Sequence, residues 1–375
     1  MENQVNRSMR GVRPFFAFLG RYLTPFTRVV FCLLPVFAIL HLLAVISPDM
    51  ADTINASVGN VFRFCLATLT GSLPFSLGEM LLIGAPFLVG IPVAYALVAK
   101  RNTASLPRTL ISLLAVLALL YILFVPTLGC AYHATTLDKK LSLDRRPVSS
   151  EQLFSTAVIL REEANALAEQ VYSRHEGFTV MPYAFSEMNG KLLEAYDSLA
   201  AKHTFLQSMD TRLKPVGISE AMSYAHITGV YSYMTGEANI NVDYPDFTIP
   251  FTAAHEMAHQ RGIAREDEAN FVAFLVCSAS EDAYIRYAGY MSMLRYVGNA
   301  LAGADYEAYA HLWEGYSPVL RHENAAYSAF YKKYENSMLG EVTGSINDAY
   351  LQMQGTAGTK SYGMVVDLAV AYYRK

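Results

Sequence analysis

One short constellation in this chain has obvious chemistry. Within TIPFTAAHEMAHQRGIAREDEANFVAFLVC, His255-Glu256-x-x-His259 sets two imidazoles at i, i+4. On a helix that spacing stacks both rings on one face, where they can share a metal. Zinc is the natural first choice for such donors. Glu256 follows the first histidine, so it sits beside the metal and can take a proton from an activated water rather than coordinate. It is the candidate general base.

A zinc site needs at least one more ligand. Gly262 can end the first helix three residues after His259, and a second, acidic helix then begins near Glu266. In the pattern Glu266-x-x-Ala269-Asn270, Glu266 and Asn270 share a face. Glu266 is therefore the first choice as third ligand, and Asn270 the candidate for orienting a ligating histidine by a hydrogen bond. Glu268 is the alternative ligand. Asp267 and Glu268 also fit an ordinary role, since acidic residues in a first helical turn meet the macrodipole favourably. In His259-x-x-Gly262-x-x-Arg265, an arginine stands where some metallopeptidases carry a third histidine, and Arg265 cannot bind a cation. A tyrosine or histidine often steadies the oxyanion in such sites. With 25 tyrosines in the chain, composition singles none out; Tyr350 and Tyr362 are the candidates.

These residues need a scaffold. From about Ala131 onward the pattern is that of a mostly helical soluble domain, with amphipathic helices predicted over 149–174, 187–203 and 305–334. Residues 227–243, ITGVYSYMTGEANINVD, are rich in Val, Ile, Thr and Tyr around a Gly-Glu turn signal and read as a short hairpin. Its second half, 237–243, could be an edge strand that pairs with an extended peptide substrate, and fits an ordinary core strand at least as well.

The residues before Ala131 read differently. The chain is 53% hydrophobic and only 17% charged, against roughly 25% charged in soluble domains. Apolar runs over 29–46, 77–99 and 110–128 each approach the ~20 residues needed to cross a bilayer. Residues 54–73 are apolar but carry Arg63, which is costly at a bilayer centre, and read as interfacial or re-entrant. His41 lies in the first run and is assigned no role. Arg7, Arg10, Arg13, Arg21 and Arg28 precede the first span, and Lys100, Arg101 and Arg108 lie between the second and third. Both segments should be cytoplasmic, so three spans export the rest. The long charged leader and the lack of a small-residue cleavage site before Asp49 favour a retained anchor over a cleaved signal peptide.

At 375 residues two units are expected, taking about 100–200 residues per domain: a membrane domain over 1–130 and a catalytic domain over 131–375. The net charge of −4 supplies no basic field for a phosphate backbone, so nucleic acid is not an expected partner. Cys32, Cys65, Cys130 and Cys277 form no CxxC pair, which argues against a disulfide framework or a cysteine metal site.

Several separated motifs carry a resemblance. Pro74-Phe75-Ser76-Leu77-Gly78-Glu79, Thr235-Gly236-Glu237-Ala238-Asn239, His255 through Phe271, Ser361-Tyr362-Gly363 and Val366-Asp367-Leu368 resemble an uncharacterised bacterial membrane-protein family catalogued as domain of unknown function 3810, over nearly the whole chain. The active-site helices are also similar to those of gluzincin peptidases. That resemblance implies His255, His259 and Glu266 as zinc ligands and Glu256 as catalytic acid/base.

The expectation is an α-helical membrane anchor followed by a mainly α (α+β) zincin-like metallopeptidase domain with a small sheet. It would be a multi-pass protein of the bacterial cell membrane, with a cytoplasmic N-terminus and an extracytoplasmic C-terminal domain. With Zn2+ as cofactor and the lipid bilayer and a protein or peptide substrate as partners, it would hydrolyse peptide bonds. Two other readings remain: a non-catalytic sensor or scaffold whose zinc is structural and closed by a fourth protein ligand, and a hydrolase of cell-wall peptides. Alkaline phosphatase fused after Leu128 should be active in the sided expectation; an inactive fusion in a stably made protein would overturn it.

Overall fold

The computed structural model describes residues 20–98, 105–171, 174–175 and 178–374. Arg7, Arg10, Arg13, Lys100 and Arg101, on which the expected sidedness largely rests, lie outside the described residues. Helix α1 (Pro25–Ile46) starts where Thr24 accepts from the Thr27 N–H and Pro25 fills the first position, a favoured start. Ser47 closes it and caps α2 (Pro48–Ile54). A π-helical turn over Asn55–Gly59 leads into α3 (Asn60–Gly71), followed by α4 (Leu77–Val98) and α5 (Ser105–Phe124). A second π turn, Val125–Gly129, carries α5 on towards His133. Three segments, Pro25–Ile46, Leu77–Val98 and Ser105–His133, are long and apolar enough to cross a membrane, and the three predicted spans fall on them. Large apolar side chains such as Ile46, Leu82 and Leu117 point outward.

The segment predicted as interfacial or re-entrant is helical, and its Arg63 is 1% exposed. The guanidinium donates to Asn55 Oδ1 (2.8 Å), Asn55 O (2.9 Å), Thr127 O (3.1 Å) and Pro126 O (3.3 Å). Three of these acceptors are carbonyls in the two π turns, where the regular helical ladder is broken. A buried cation is tolerable because both of its terminal nitrogens find acceptors, which leaves Nε as its one buried donor without a partner. The opposite face of α3 presents Val61, Phe64 and Leu69 outward.

The remaining chain forms α6 (Leu137–Lys140), α7 (Ser150–Gln170), α8 (Phe185–Ala200), α9 (Ser219–Tyr224), α10 (Ile249–Gln260), α11 (Glu266–Ala279), α12 (Ala283–Ala304), α13 (Tyr306–Glu314), α14 (Pro318–Tyr334), α15 (Met338–Met353) and α16 (Val365–Tyr373). A capping box between Ser149 and Gln152 opens α7. The predicted helices over 149–174 and 187–203 correspond to α7 and α8. The single helix predicted over 305–334 is two, because the chain breaks after Glu314 and Ser317-Pro318 starts a new helix. Helices α12 and α15 were not predicted. Helix α12 is rich in small residues and buried over much of its circumference, so it lacks the polar stripe that periodicity detects.

A two-stranded ribbon pairs β1 (Arg174–His175) with β2 (Phe178–Thr179). The small sheet has the order β3 (Lys214–Pro215), β5 (Glu237–Ile240), β4 (Gly229–Ser232). Strands β4 and β5 form the predicted hairpin, with Val230 opposite Asn239 and Tyr231 opposite Ala238. Of the two readings of 237–243 the structure shows the core strand: β5 is central, paired in parallel with β3 and antiparallel with β4, and β4 is an edge. Helix α10 is buried along its whole length. It lies between the sheet and the core formed with α7, α8, α11, α12 and α16.

Three charged groups fasten the sheet to the apolar segment. Glu237 accepts from the N–H groups of Leu77 (3.0 Å) and Gly78 (2.7 Å), the positive end of α4. Glu79 accepts from Ile218 N (2.9 Å) and Gly217 N (3.2 Å). Buried Lys214 donates to Thr70 O and Leu73 O at the end of α3.

Replacing Arg63 with Met should strand the carbonyls of Asn55, Pro126 and Thr127 and destabilise the chain by about 3 kcal/mol or more. Thermal unfolding of the detergent-solubilised protein should show a clearly lower Tm, and an unchanged Tm would remove this role from Arg63.

Candidate metal centre

Helix α10 carries His255, Glu256 and His259, and α11 begins at Glu266. Between them the chain must reverse within a few residues. Gly262 makes the reversal at φ +86°, a region that other residues enter with strain. It also lies against the Arg63 guanidinium: a Cβ there would stand 2.6 Å from Arg63 Nη2. The reversal is pinned from the same side by Asn55, whose Nδ2 donates to Gly262 O at 3.0 Å.

The turn has a chemical result. His259 Nδ1 lies 2.7 Å from Ile263 O, and an imidazole can meet a carbonyl only as a donor, so in the neutral ring Nε2 carries the lone pair. His259 Nε2 is 3.0 Å from His255 Nε2. Glu266 Oε2 is 3.2 Å from the first of these nitrogens' partner, His255 Nε2, and 3.5 Å from His259 Nε2. All four side chains of the motif are buried, including Glu256. Lone-pair donors that face one another out of water need a proton or a cation between them. Burial presses on the His259 imidazole from one direction, but the Glu266 carboxylate beside it raises the group to about 9. Burial likewise acts to raise Glu266, and the two histidines hold it well below the usual carboxylate range. A field that draws a proton into the gap also draws a divalent cation. His255, His259 and Glu266 are the group that meets metal-ligand geometry among the described residues.

The neighbouring acids have other partners. Glu268 Oε1 accepts from Leu137 N (2.9 Å) and Arg265 Nη1 (3.0 Å). It is thus turned away from the histidines, and the alternative third ligand is not brought to the cluster. Asp267 pairs with Arg145 at 2.9 Å. Arg265 holds Tyr132 O and Ala134 O with its other terminal nitrogen, tying the start of α11 to the end of the third apolar segment. Asn270 does not orient a histidine as expected. Its Nδ2 lies 3.4 Å from Tyr362 O, and the Ile263 carbonyl orients His259 instead.

Glu256 is positioned by the sheet. A Cβ on Gly229 would lie 2.7 Å from Glu256 Oε1 and 2.8 Å from its Cγ, so the edge strand can run this close only because residue 229 is glycine. Burial raises the Glu256 carboxyl above its ordinary range, while His255 and His259 act against that shift. The cluster opens into a cavity of about 740 Å³. Both tyrosines named from the sequence, Tyr350 and Tyr362, line it. Burial first, then the charge of Glu266, pushes the Tyr362 phenol well up, so its hydroxyl stays protonated and able to donate.

Sequence reasoning missed Tyr132, Tyr231, Gly229 and Arg295 in the same cavity. Tyr132 follows the third apolar run and Arg295 sits in an unpredicted helix; neither belongs to a recognisable motif. Gly229 lies inside the predicted hairpin, where an isolated strand glycine is a known sign of close backbone approach.

Full-length protein purified in detergent should carry near-stoichiometric divalent metal by elemental analysis, lost in His255→Ala and Glu266→Ala and kept in Glu268→Ala. Metal retained in Glu266→Ala would contradict the ligand set.

The motifs that are scattered in sequence meet in space: Glu237 of Thr235–Asn239 caps the helix that begins in Pro74–Glu79, and Asn270 reaches Tyr362. No curated protein and no solved structure matches the chain. A family model described as "Protein of unknown function (DUF3810)" matches residues 57–370, which include both site helices and the second and third apolar segments, and the chain belongs to that family.

Proposed function

We propose that the chain is a membrane-anchored, zinc-dependent metallopeptidase of gluzincin type, in which a zincin-like catalytic portion, 131–375, is held by the apolar segments within 1–130 and lies outside the cytoplasm. The observation that carries this reading is the convergence of His255, His259 and Glu266 with Glu256 beside them, in a cavity large enough for a substrate. Among the described residues no fourth His, Cys, Asp or Glu joins the ligand group. Three protein ligands with an open position are the mark of catalytic zinc, whereas structural zinc is closed by four. This favours the enzyme over the sensor.

A zinc ion held by these three side chains would supply Lewis acidity, polarising the scissile carbonyl and making water a stronger acid. Glu256 takes the proton that the attacking water gives up as its oxygen bonds to the carbonyl carbon, and returns a proton to the departing amine as the C–N bond breaks. The edge strand Gly229–Ser232 offers its unpaired side to an extended peptide, aligning the backbone by main-chain hydrogen bonds. A protonated phenol, Tyr350 or Tyr362, donates to the oxygen on which negative charge develops.

Glu256→Gln should keep its metal and lower kcat/KM by about 10²–10⁴-fold, read as new amino termini released from a mixture of denatured proteins. Gly229→Ala should also keep the metal and lower kcat, because its methyl group displaces the Glu256 carboxylate. Full activity in metal-loaded Glu256→Gln would eliminate the catalytic reading and restore the sensor.

A further inference from the structure

A second cavity, of about 640 Å³, lies among α12, α13 and α14. It shares Arg295, Asn299 and Tyr327 with the catalytic cavity, so the two spaces meet at a common wall. Arg295 is the main feature of that wall. Its guanidinium carbon stands 3.3 Å from the centre of the Tyr327 ring, and the side chain forms no ion pair among the described residues. Stacking occupies the face of the guanidinium and leaves its in-plane N–H donors available, the edge that matches a carboxylate in bidentate fashion.

The second cavity has a matching charge. Arg295, Arg321 and Lys332 line it against a single acid, Glu335. Arg321 is partly engaged, donating to the carbonyls of Trp313 and Glu314, whereas Arg295 and Lys332 face the space without an acidic partner among the described residues. The aromatic residues Tyr309, Trp313, Tyr316 and Tyr331 complete the lining. A cationic, aromatic groove that adjoins a peptidase site suits a peptide whose anionic groups lie to one side of the cleaved bond.

We propose that Arg295 binds a carboxylate of the peptide substrate and that the groove beyond it holds the adjoining acidic segment. This inference rests on the peptidase reading for the identity of the ligand, but its test needs neither metal nor turnover. The carboxylate could be a side chain or the terminus of the peptide, and both would meet the same guanidinium edge. Continuation of the groove past Arg295 favours a side-chain acid within a longer chain.

The chain has a single tryptophan, Trp313, and it lines this groove, so intrinsic tryptophan fluorescence reports occupancy directly. Full-length Glu256→Gln protein in detergent would be titrated with three short acetylated peptides. One alternates glutamate and alanine and is amidated, the second replaces each glutamate with glutamine, and the third is the glutamine peptide with a free C-terminus. The glutamate peptide should shift Trp313 emission with a Kd about tenfold or more below that of the amidated glutamine peptide. Arg295→Gln should abolish the preference and Arg295→Lys should restore part of it. Tight binding by the third peptide but not the second would assign the carboxylate to the terminus. Equal affinity for all three, or a preference unchanged in a folded Arg295→Gln protein, would overturn the proposal. If emission responds as expected but metal-loaded wild-type protein cleaves nothing, the peptidase reading fails and the anion site stands; cleavage by wild type without acidic preference gives the reverse.

Discussion

A buried guanidinium sits beneath the turn on which the site depends. Arg63 fills the space under Gly262, and Asn55, itself an acceptor for Arg63, holds the Gly262 carbonyl. The same guanidinium collects carbonyls from both π turns of the apolar segment. With the reversal fixed, the Ile263 carbonyl meets His259 Nδ1 and α11 starts where Glu266 can face both histidines. The cluster of His255, His259 and Glu266 is thus built partly by the segment that precedes it by about two hundred residues in sequence. A guanidinium at that depth without these acceptors would be strongly destabilising.

The junction between the apolar segment and the rest of the chain is therefore structural in a demanding sense. Glu237, Glu79 and Lys214 each satisfy backbone groups at the ends of helices on the other side of it. Arg265 closes the same junction from α11 by holding the carbonyls of Tyr132 and Ala134. Leu128 and Tyr132, from the end of the third apolar segment, line the cavity beside His255, His259 and Glu266. The boundary near residue 130 separates compositions, but contacts cross it freely, and the site draws on both sides.

The acidic start of α11 shows how tertiary structure sorts residues of one chemical type. Glu266, Asp267 and Glu268 occupy successive positions in a first turn, where all three benefit from the macrodipole. Their side chains leave the helix in different directions. One meets the histidines, one meets Arg145 and one meets Arg265 together with the Leu137 N–H. Each carboxylate is buried and each has a partner, as burial requires.

The sequence by itself determined what depends on local spacing. The i, i+4 histidines, the glutamate between them, the stop at Gly262, the acidic helix after it, the β4–β5 hairpin and the three apolar runs are all short-range patterns fixed by helical or strand periodicity. It ranked Glu266 above Glu268 by the face that Glu266 shares with Asn270, but a helix start offers both carboxylates, and only the tertiary structure shows Glu268 occupied by Leu137 N and Arg265. It left residues 237–243 open between an edge and a core strand, because alternation says nothing of the β3 strand that arrives from elsewhere in the chain. The surroundings of Arg63, Tyr132, Gly229 and Arg295 were likewise decided in three dimensions: each meets groups far away in sequence, through burial, close approach or stacking, and of the four only Gly229, a glycine within a strand, left a local sign of it.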